Sequence, residues 1–349
     1  MSLVVAEEHP ENFGSLTQTR ATFELRYGAL CPLDRALQIT DDVVLRARPE
    51  LADYLRAKTG LRVNEDIEGE PFPGLPANTP WEILAHSGAH IAADFRDWEK
   101  RHANNRDAAL MNGAHIVGDE SDVFIGRGSL VQPGCVLDAT GGPIIIAADV
   151  TVKCSHLAGP VFVGAGCVVD GARLRAGTSL GPNCKVGGEI AATIFQSRVN
   201  KGHDGFVGHT WAGRWVNFGA LATTSNLKNT YGTIRFPANG EQTVETGSQF
   251  LGSIIGDHTK IGIMQGLNTG SNIGTGCNIF GGGIAPKYVP SFNWGGQGGW
   301  MEHRFGDCIK TVKATLGRRN AVLRPESEAV LRAVFERTAG ERARFLAQM

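Results

Sequence analysis

The feature that most narrows what this 349-residue chain can fold into is a six-residue period. An aliphatic or aromatic residue followed by a glycine or another small or polar residue recurs as Ile125-Gly126, Val131-Gln132 and Leu137-Asp138. It recurs again as Leu174-Arg175, Leu180-Gly181 and Val186-Gly187, as Ala212-Gly213 and Phe218-Gly219, and as Ile255-Gly256, Ile261-Gly262, Leu267-Asn268, Ile273-Gly274 and Ile279-Phe280. Four residues after the apolar position comes a small one, among them Ser129, Cys135, Thr178, Cys184, Ala222, Thr259, Ser271 and Cys277. A helix would place apolar residues three and four apart. A period of six instead fits a short strand closed by a sharp turn, forming one side of a three-sided coil with about eighteen residues per turn. The apolar side chain points inward and stacks on its equivalents above and below, and glycine serves where the backbone needs positive φ or close approach.

Such a coil is a parallel β-helix of hexapeptide repeats. Its motif resembles the left-handed β-helix family, an exception to right-handed crossovers. The expected fold is therefore mainly β: a left-handed parallel β-helix of about eight turns, with a small α/β N-terminal region and a C-terminal helix. The expected division is residues 1–107, 108–310 and 311–349. The repeat runs from near Ile116 to near Ile284, broken at Thr140 to Pro143 and by an excursion from Leu227 to about Gln249. Before it, Pro32 to Leu37 predicts a short helix, and the glycines and prolines of 62–80 predict a loop. Pro80-Trp81 opens one or two helices through about Arg101, expected to close the end of the coil. The tryptophans of the irregular stretch 286–306 either pack over the coil or line a ligand slot. Beyond Pro325 a helix presents Val330, Leu331, Val334 and Phe335 on one face and is expected to stop at Gly340.

Composition removes several function classes. A formal net charge of −1 gives no electrostatic case for nucleic acid or an acidic membrane. No apolar run approaches the roughly 20 residues of a membrane span. The first residues lack the basic start and apolar core of a signal peptide, so the expected location is cytoplasmic. The seven cysteines include no CxxC pair. Cys135, Cys167, Cys184 and Cys277 fall in the small-residue slot, which makes them packing thiols of a reducing compartment.

Chemistry concentrates between Ile194 and Gly232. Gly202-His203 is followed by Phe206, then by Val216-Asn217-Phe218-Gly219-Ala220, then by Asn226; upstream stands Ala172-Arg173-Leu174-Arg175-Ala176-Gly177. This spacing resembles the acetyltransferase half of the bifunctional bacterial enzyme that makes UDP-N-acetylglucosamine from glucosamine-1-phosphate (GlmU), over roughly residues 115–285. The N-terminal stretch FGSLTQTRATFELRYGALCPLDRAL is similar to the start of a divergent sugar nucleotidyltransferase-like domain fused to such coils. It lacks the glycine loop that cradles a triphosphate.

The resemblance implies an acetyl-CoA-dependent N-acetyltransferase for an aminosugar phosphate or nucleotide-linked aminosugar, in nucleotide-sugar and cell-envelope synthesis, working as a homotrimer. It implies His203 as general base, a role that suits the ordinary imidazole pKa. It places Arg175, Phe206, Asn217, Asn226 and Lys228 around the acceptor, and Ala220, Gly262, Ile263 and Phe280 along acetyl-CoA. Without it, His203 reads first as a surface histidine between Lys201 and Asp204, while Asn217 reads equally as a corner asparagine and Arg175 as a solvated corner arginine. Two positions depart from the family. Phe206 lacks an aromatic hydroxyl, and Ala191 stands where a phosphate-contacting lysine is expected, leaving Arg198, Lys201 or Lys228 to supply that charge. Hexapeptide coils also carry zinc carbonic anhydrases, but six residues separate His203 from His209, which puts them on successive sides, and no metal is expected. Magnesium enters only if the N-terminal region transfers nucleotides. The alternatives are an inactive scaffold or sugar-nucleotide-binding module and a divergent nucleotidyltransferase.

Overall fold

The computed structural model describes residues 2–105, 109–110 and 113–349. The expected boundary at Asp107 and Ala108 lies outside the described residues. From His115–Val117 onward the chain winds into a parallel β-helix, close to the expected start at Ile116. Its first face is a nine-stranded sheet whose strands run from Val123–Ile125 to Tyr288–Val289. Partners such as Ile144 and Val161, Val161 and Thr178, or Ser253 and Ser271 lie seventeen or eighteen residues apart, so each turn of coil stacks on the one before. The second face passes through Lys185, Asn200, Asn217 and Lys260, which pair in register. The third carries Val136–Asp138, His156–Ala158, Phe206–Gly208 and Gln265–Leu267. Val168–Leu174 and Lys185–Ala191 are long strands that pair with each other on both sides of a shift in register, and so carry the chain from the second face to the third.

The six-residue period is the inward column. Ile125, Val131, Leu137, Ile146, Val152 and Leu157 open a continuous buried core that ends with Ile273, Ile279, Ala285 and Val289. The small-residue slot is equally buried: Cys135, Cys167 and Cys184 are fully covered, and the thiols of Cys135 and Cys167 lie against backbone carbonyl oxygens of the next turn. The excursion leaves at Leu227 and returns at Phe250, which bridge each other, and carries the antiparallel pair Arg235–Pro237 and Thr243–Glu245.

The N-terminal region is a four-stranded parallel sheet, in the order Arg62–Val63, Val43–Arg46, Leu3–Ala6 and Glu70–Pro71. Helices α1 (Pro32–Leu37) and α2 (Ala52–Thr59) pack with it. Helices α3 (Pro80–Ala85) and α4 (Ser87–Arg101) form where the sequence places them, but they do not close the end of the coil. Ile91 and Phe95 of α4 pack on Phe124, Ile145 and Phe162, the outward residues of the first face, so the helix lies along the side of the coil. The physical reason is that this face is apolar outward as well as inward. Ile194, Trp211 and Ile254 continue the outward column and are covered by Phe13, Leu16 and Trp81. Covering such side chains is worth roughly 1.5–3 kcal/mol each.

Three helices follow the coil: α5 (Phe305–Gly317), α6 (Pro325–Arg337) and α7 (Ala339–Gln348). Helix α5 begins ahead of the expected C-terminal segment 311–349, with Ile309, Val312 and Leu316 buried at helical spacing. Gly340 does not end α6; the break falls at Thr338 and Gly340 sits inside α7. Phe345 joins the coil's own core, with Leu346 and Trp300 packed beside it, so α7 closes the C-terminal end. The rings of Trp300 and Phe345 meet edge to face at 5.2 Å, and Trp294 packs on Phe280 and His303. These two tryptophans therefore pack.

A polar strip fastens the N-terminal region to the coil. Ser15 donates to Asn272 (2.7 Å), Ser291 donates to Gln18 (2.7 Å), and Thr19 donates to Asp257 (2.7 Å). Arg20, fully buried, pairs with the same Asp257 carboxylate, which also accepts from the Arg214 backbone N–H at 2.6 Å. Arg214 in turn donates to the Tyr54 hydroxyl at 2.7 Å. Despite burial, the Arg20 and Arg214 charges hold the Asp257 carboxyl well below the usual carboxylate range. A depressed folded pKa stabilises above the unfolded value and is lost as pH falls. Asp257→Asn leaves Arg20 buried without its counter-charge and is expected to cost about 3–5 kcal/mol at neutral pH. The gap in melting temperature between wild type and variant should narrow below about pH 4; a gap that stays constant with pH would show that the carboxylate charge is not what fastens the two parts.

Candidate active site

His203 stands where the second face turns into the third. Strand Asn200–Lys201 delivers it and strand Phe206–Gly208 follows it. Its side chain is exposed, and among the described residues its ring has no hydrogen-bond partner. It borders a cleft of about 380 Å³ walled by Gly187, Gly188, Gly202, Asp204 and Ala220. Glycine has two separate uses here. A Cβ on Gly202 would meet only Asn200 Oδ1, at 3.8 Å, so that position leaves the cleft open. Gly205 has φ of +125°, and a Cβ there would lie 2.4 Å from the Ala222 carbonyl oxygen, so the corner itself requires glycine.

Beneath the cleft lies Lys201, one of the three cations expected to replace the missing phosphate contact, and it is not on the surface. Lys201 is six after Phe195 and six before Val207, the inward position of its turn, and it is fully buried. Its Nζ donates to the Gly187 carbonyl at 3.1 Å and to the carbonyl of His203. Burial pushes its pKa down to about 8, against the pull of Asp204. The ammonium thus ties the backbone of His203 to the preceding turn from inside the coil. The six-residue register alone would have revealed it.

The remaining expected residues are spread over five places. Ala220 shares the His203 cleft. Gly262, Ile263 and Phe280 follow it on successive turns of the same corner: Met264 N–H donates to Ala220 at 2.8 Å, and Phe280 lies against Gly262. Leu221, Ile263, Met264 and Phe280 leave this corner exposed and apolar. Phe206, Asn226 and His209 gather at the far end of the Phe206–Gly208 strand. Asn226 Nδ2 lies 2.8 Å from His209 Nδ1, the His209 ring stacks on Phe250, and burial lowers the His209 pKa. His203 and His209 therefore point from opposite ends of one strand. Arg175 is on the third face in an ion pair with Glu189 (2.8 Å), which Arg173 also engages, and Lys228 donates to the Thr233 carbonyl. Asn217 sits on the second face and accepts from Asn200 at 2.9 Å. Ala191 lies on the third face beside Gly208 and brings no charge. Among the described residues no group of three His, Cys, Asp or Glu side chains is placed to share a metal ion.

No family model and no curated protein matches the chain. Solved structures that align with it include PerB from Caulobacter crescentus in complex with CoA and GDP-perosamine, at 12% identity over 86% of this chain and 97% of that one. A histidine-to-alanine mutant of GDP-perosamine N-acetyl transferase from the same organism aligns at 11% identity over 86% and 96%. The TM-scores are 0.17 and 0.16, and likeness at that level carries no argument about this chain.

Lys201 makes a distinctive prediction. With a folded pKa of about 8 against an unfolded value of about 10.4, the unfolded chain binds more protons between those limits, so stability rises with pH there. Lys201→Met removes that term while leaving the same carbonyls unpaired at every pH. The melting temperature of wild type minus that of Lys201→Met should therefore climb between about pH 8 and about pH 10. A flat difference would mean that the ammonium is not buried.

Proposed function

We propose that the chain is an acetyl-CoA-dependent N-acetyltransferase acting on a phosphorylated or nucleotide-linked aminosugar. The observation that carries this reading is His203: an exposed imidazole without a ring partner among the described residues, on a corner pinned from within by Lys201, at a cleft whose floor is glycine backbone. The acceptor amine, neutral when it reacts, attacks the thioester carbonyl carbon, forming the N–C bond as the C–S bond breaks. His203 takes the amine proton and returns it to the departing CoA sulfur. The apolar corner running through Ala220, Gly262, Ile263 and Phe280 is the track for the CoA arm, which places the thioester beside His203. Phe206, Asn226 and His209 do not line the His203 cleft. The homotrimer reading rests on the exposed apolar corner of Leu221, Ile263, Met264 and Phe280, against which a second copy would pack.

The N-terminal strip is not read as a nucleotidyl-transfer site. Gln18, Thr19 and Arg20 bond to the coil, and Glu24 pairs with Lys58 while its backbone carbonyl accepts from Gln196. The residues that carry its resemblance are spent on docking.

With glucosamine-1-phosphate or a related aminosugar nucleotide as acceptor, His203→Ala should lower kcat by about 10² to 10⁴ and leave the melting temperature nearly unchanged. Near-normal kcat in that variant across pH 6 to 9 would remove His203 from the chemistry, and binding of acetyl-CoA without transfer to any such acceptor would favour the binding-module alternative. Sedimentation equilibrium should give about three chains per particle; a monomer that still turns over would show that one chain completes the site.

A further inference from the structure

On the other edge of the second face, opposite His203, lies a groove of about 150 Å³ between the coil and helix α5. Lys185, Arg198, Arg318 and Arg319 line it, together with Asn200 and Asn217, and no carboxylate does. Among the described residues none of the four cations has an ion-pair partner; Arg319 reaches only the Asn183 carbonyl, at 3.2 Å. Burial and repulsion from Arg214 and Arg319 lower the pKa of Arg198, the mark of a cation held without a counter-charge. Arg198 and Trp215 also border a second cavity, of about 340 Å³, with Tyr54, Leu323 and Val322. The Arg198 guanidinium lies 5.4 Å from the centre of the Trp215 ring.

The backbone marks the same two residues. Arg198 has φ of +54° and Trp215 of +63°. They hold the corner that earlier turns fill with Asp149, Gly166 and Asn183, residue types that accept positive φ readily. An arginine and a tryptophan there cost conformational energy, as does His258 at the same corner of the next turn.

We propose that this paired groove is a nucleoside diphosphate site: the diphosphate lies among Lys185, Arg198 and Arg319, and the base stacks on Trp215 in the larger cavity. Guanidinium forks match phosphate oxygens, and an aromatic face accepts any base. Asn200 and His203 are three residues apart across the end of the second face, at most about 10 Å. A sugar attached to the diphosphate would therefore extend over Asn200 and Asn217 towards His203. This last step rests on the acyltransfer reading and makes the acceptor a nucleotide-linked aminosugar rather than a simple sugar phosphate; the binding site itself does not depend on it.

Isothermal titration of the full chain with UDP, GDP and inorganic pyrophosphate, without acetyl-CoA, tests the site apart from any turnover. At least one nucleotide should bind about tenfold more tightly than pyrophosphate. The double variant Arg198→Gln/Arg319→Gln should weaken both classes about tenfold or more, whereas Trp215→Leu should weaken the nucleotide and leave pyrophosphate unchanged. Circular dichroism and melting temperature confirm that the variants fold, and Arg318→Gln/Arg319→Gln, on the exposed helix end, serves if Arg198→Gln does not. Absence of nucleotide binding, equal affinity for nucleotide and pyrophosphate, or binding indifferent to these substitutions overturns the proposal, whether or not the protein acetylates anything. If nucleotide binds as expected but does not compete with the acceptor in the acetyltransferase assay, the site stands and its link to His203 falls.

Discussion

The structure depends on one face of the coil being apolar on both sides. Inward, Ile125, Ile146, Val163 and Leu180 stack as the period demands; outward, Phe124, Ile145, Phe162, Ile194, Trp211 and Ile254 form a second column that water cannot be left to cover. A strand buried on both faces reads as an apolar run, not as an alternation. The N-terminal region and helices α3 and α4 are where they are because this column has to be covered. The ion pair of Arg20 with Asp257 fixes the register of that cover, since a buried charge tolerates only the position that pairs it.

Covering the first face determines what is left open. The N-terminal region takes the first face, helices α5 and α6 take the corner between the first and second faces, and α7 takes the end. The corner between the second and third faces stays free, and it bears His203, the glycine-walled cleft and the exposed Leu221, Ile263, Met264 and Phe280. Lys201 belongs to the same logic. A lysine in a column of aliphatic residues weakens the core, yet from that position its ammonium reaches carbonyls of two turns, one of them that of His203. Stability is given up at the turn that carries His203.

Some of this was legible beforehand. Helix positions such as Pro32–Leu37 and Pro80–Ala85, the buried cysteines of the small-residue slot and the excursion between Leu227 and Phe250 follow from local rules about proline, periodicity and side-chain volume. Two readable signals went unused. The doublets Phe124-Ile125, Ile145-Ile146 and Phe162-Val163 announce a face buried on both sides, and the six-residue register places Lys201 inside. Gly340 misled because a glycine is tolerated inside a helix when packing on either side, here by Phe345 and Val334, sustains it.

By itself the sequence determined the coil, because a six-residue apolar period has one economical solution and each turn needs only its neighbours to bury it. It also determined which stretch holds His203. Only the tertiary structure decided that Asn217 belongs with Arg198 and Arg319, that Asn226 belongs with His209, and that Arg175 is held by Glu189. Those pairings join residues from different turns, faces and terminal helices. Their proximity is set by how the turns stack and by which face the rest of the chain is driven to cover, and neither is written in the spacing along one turn.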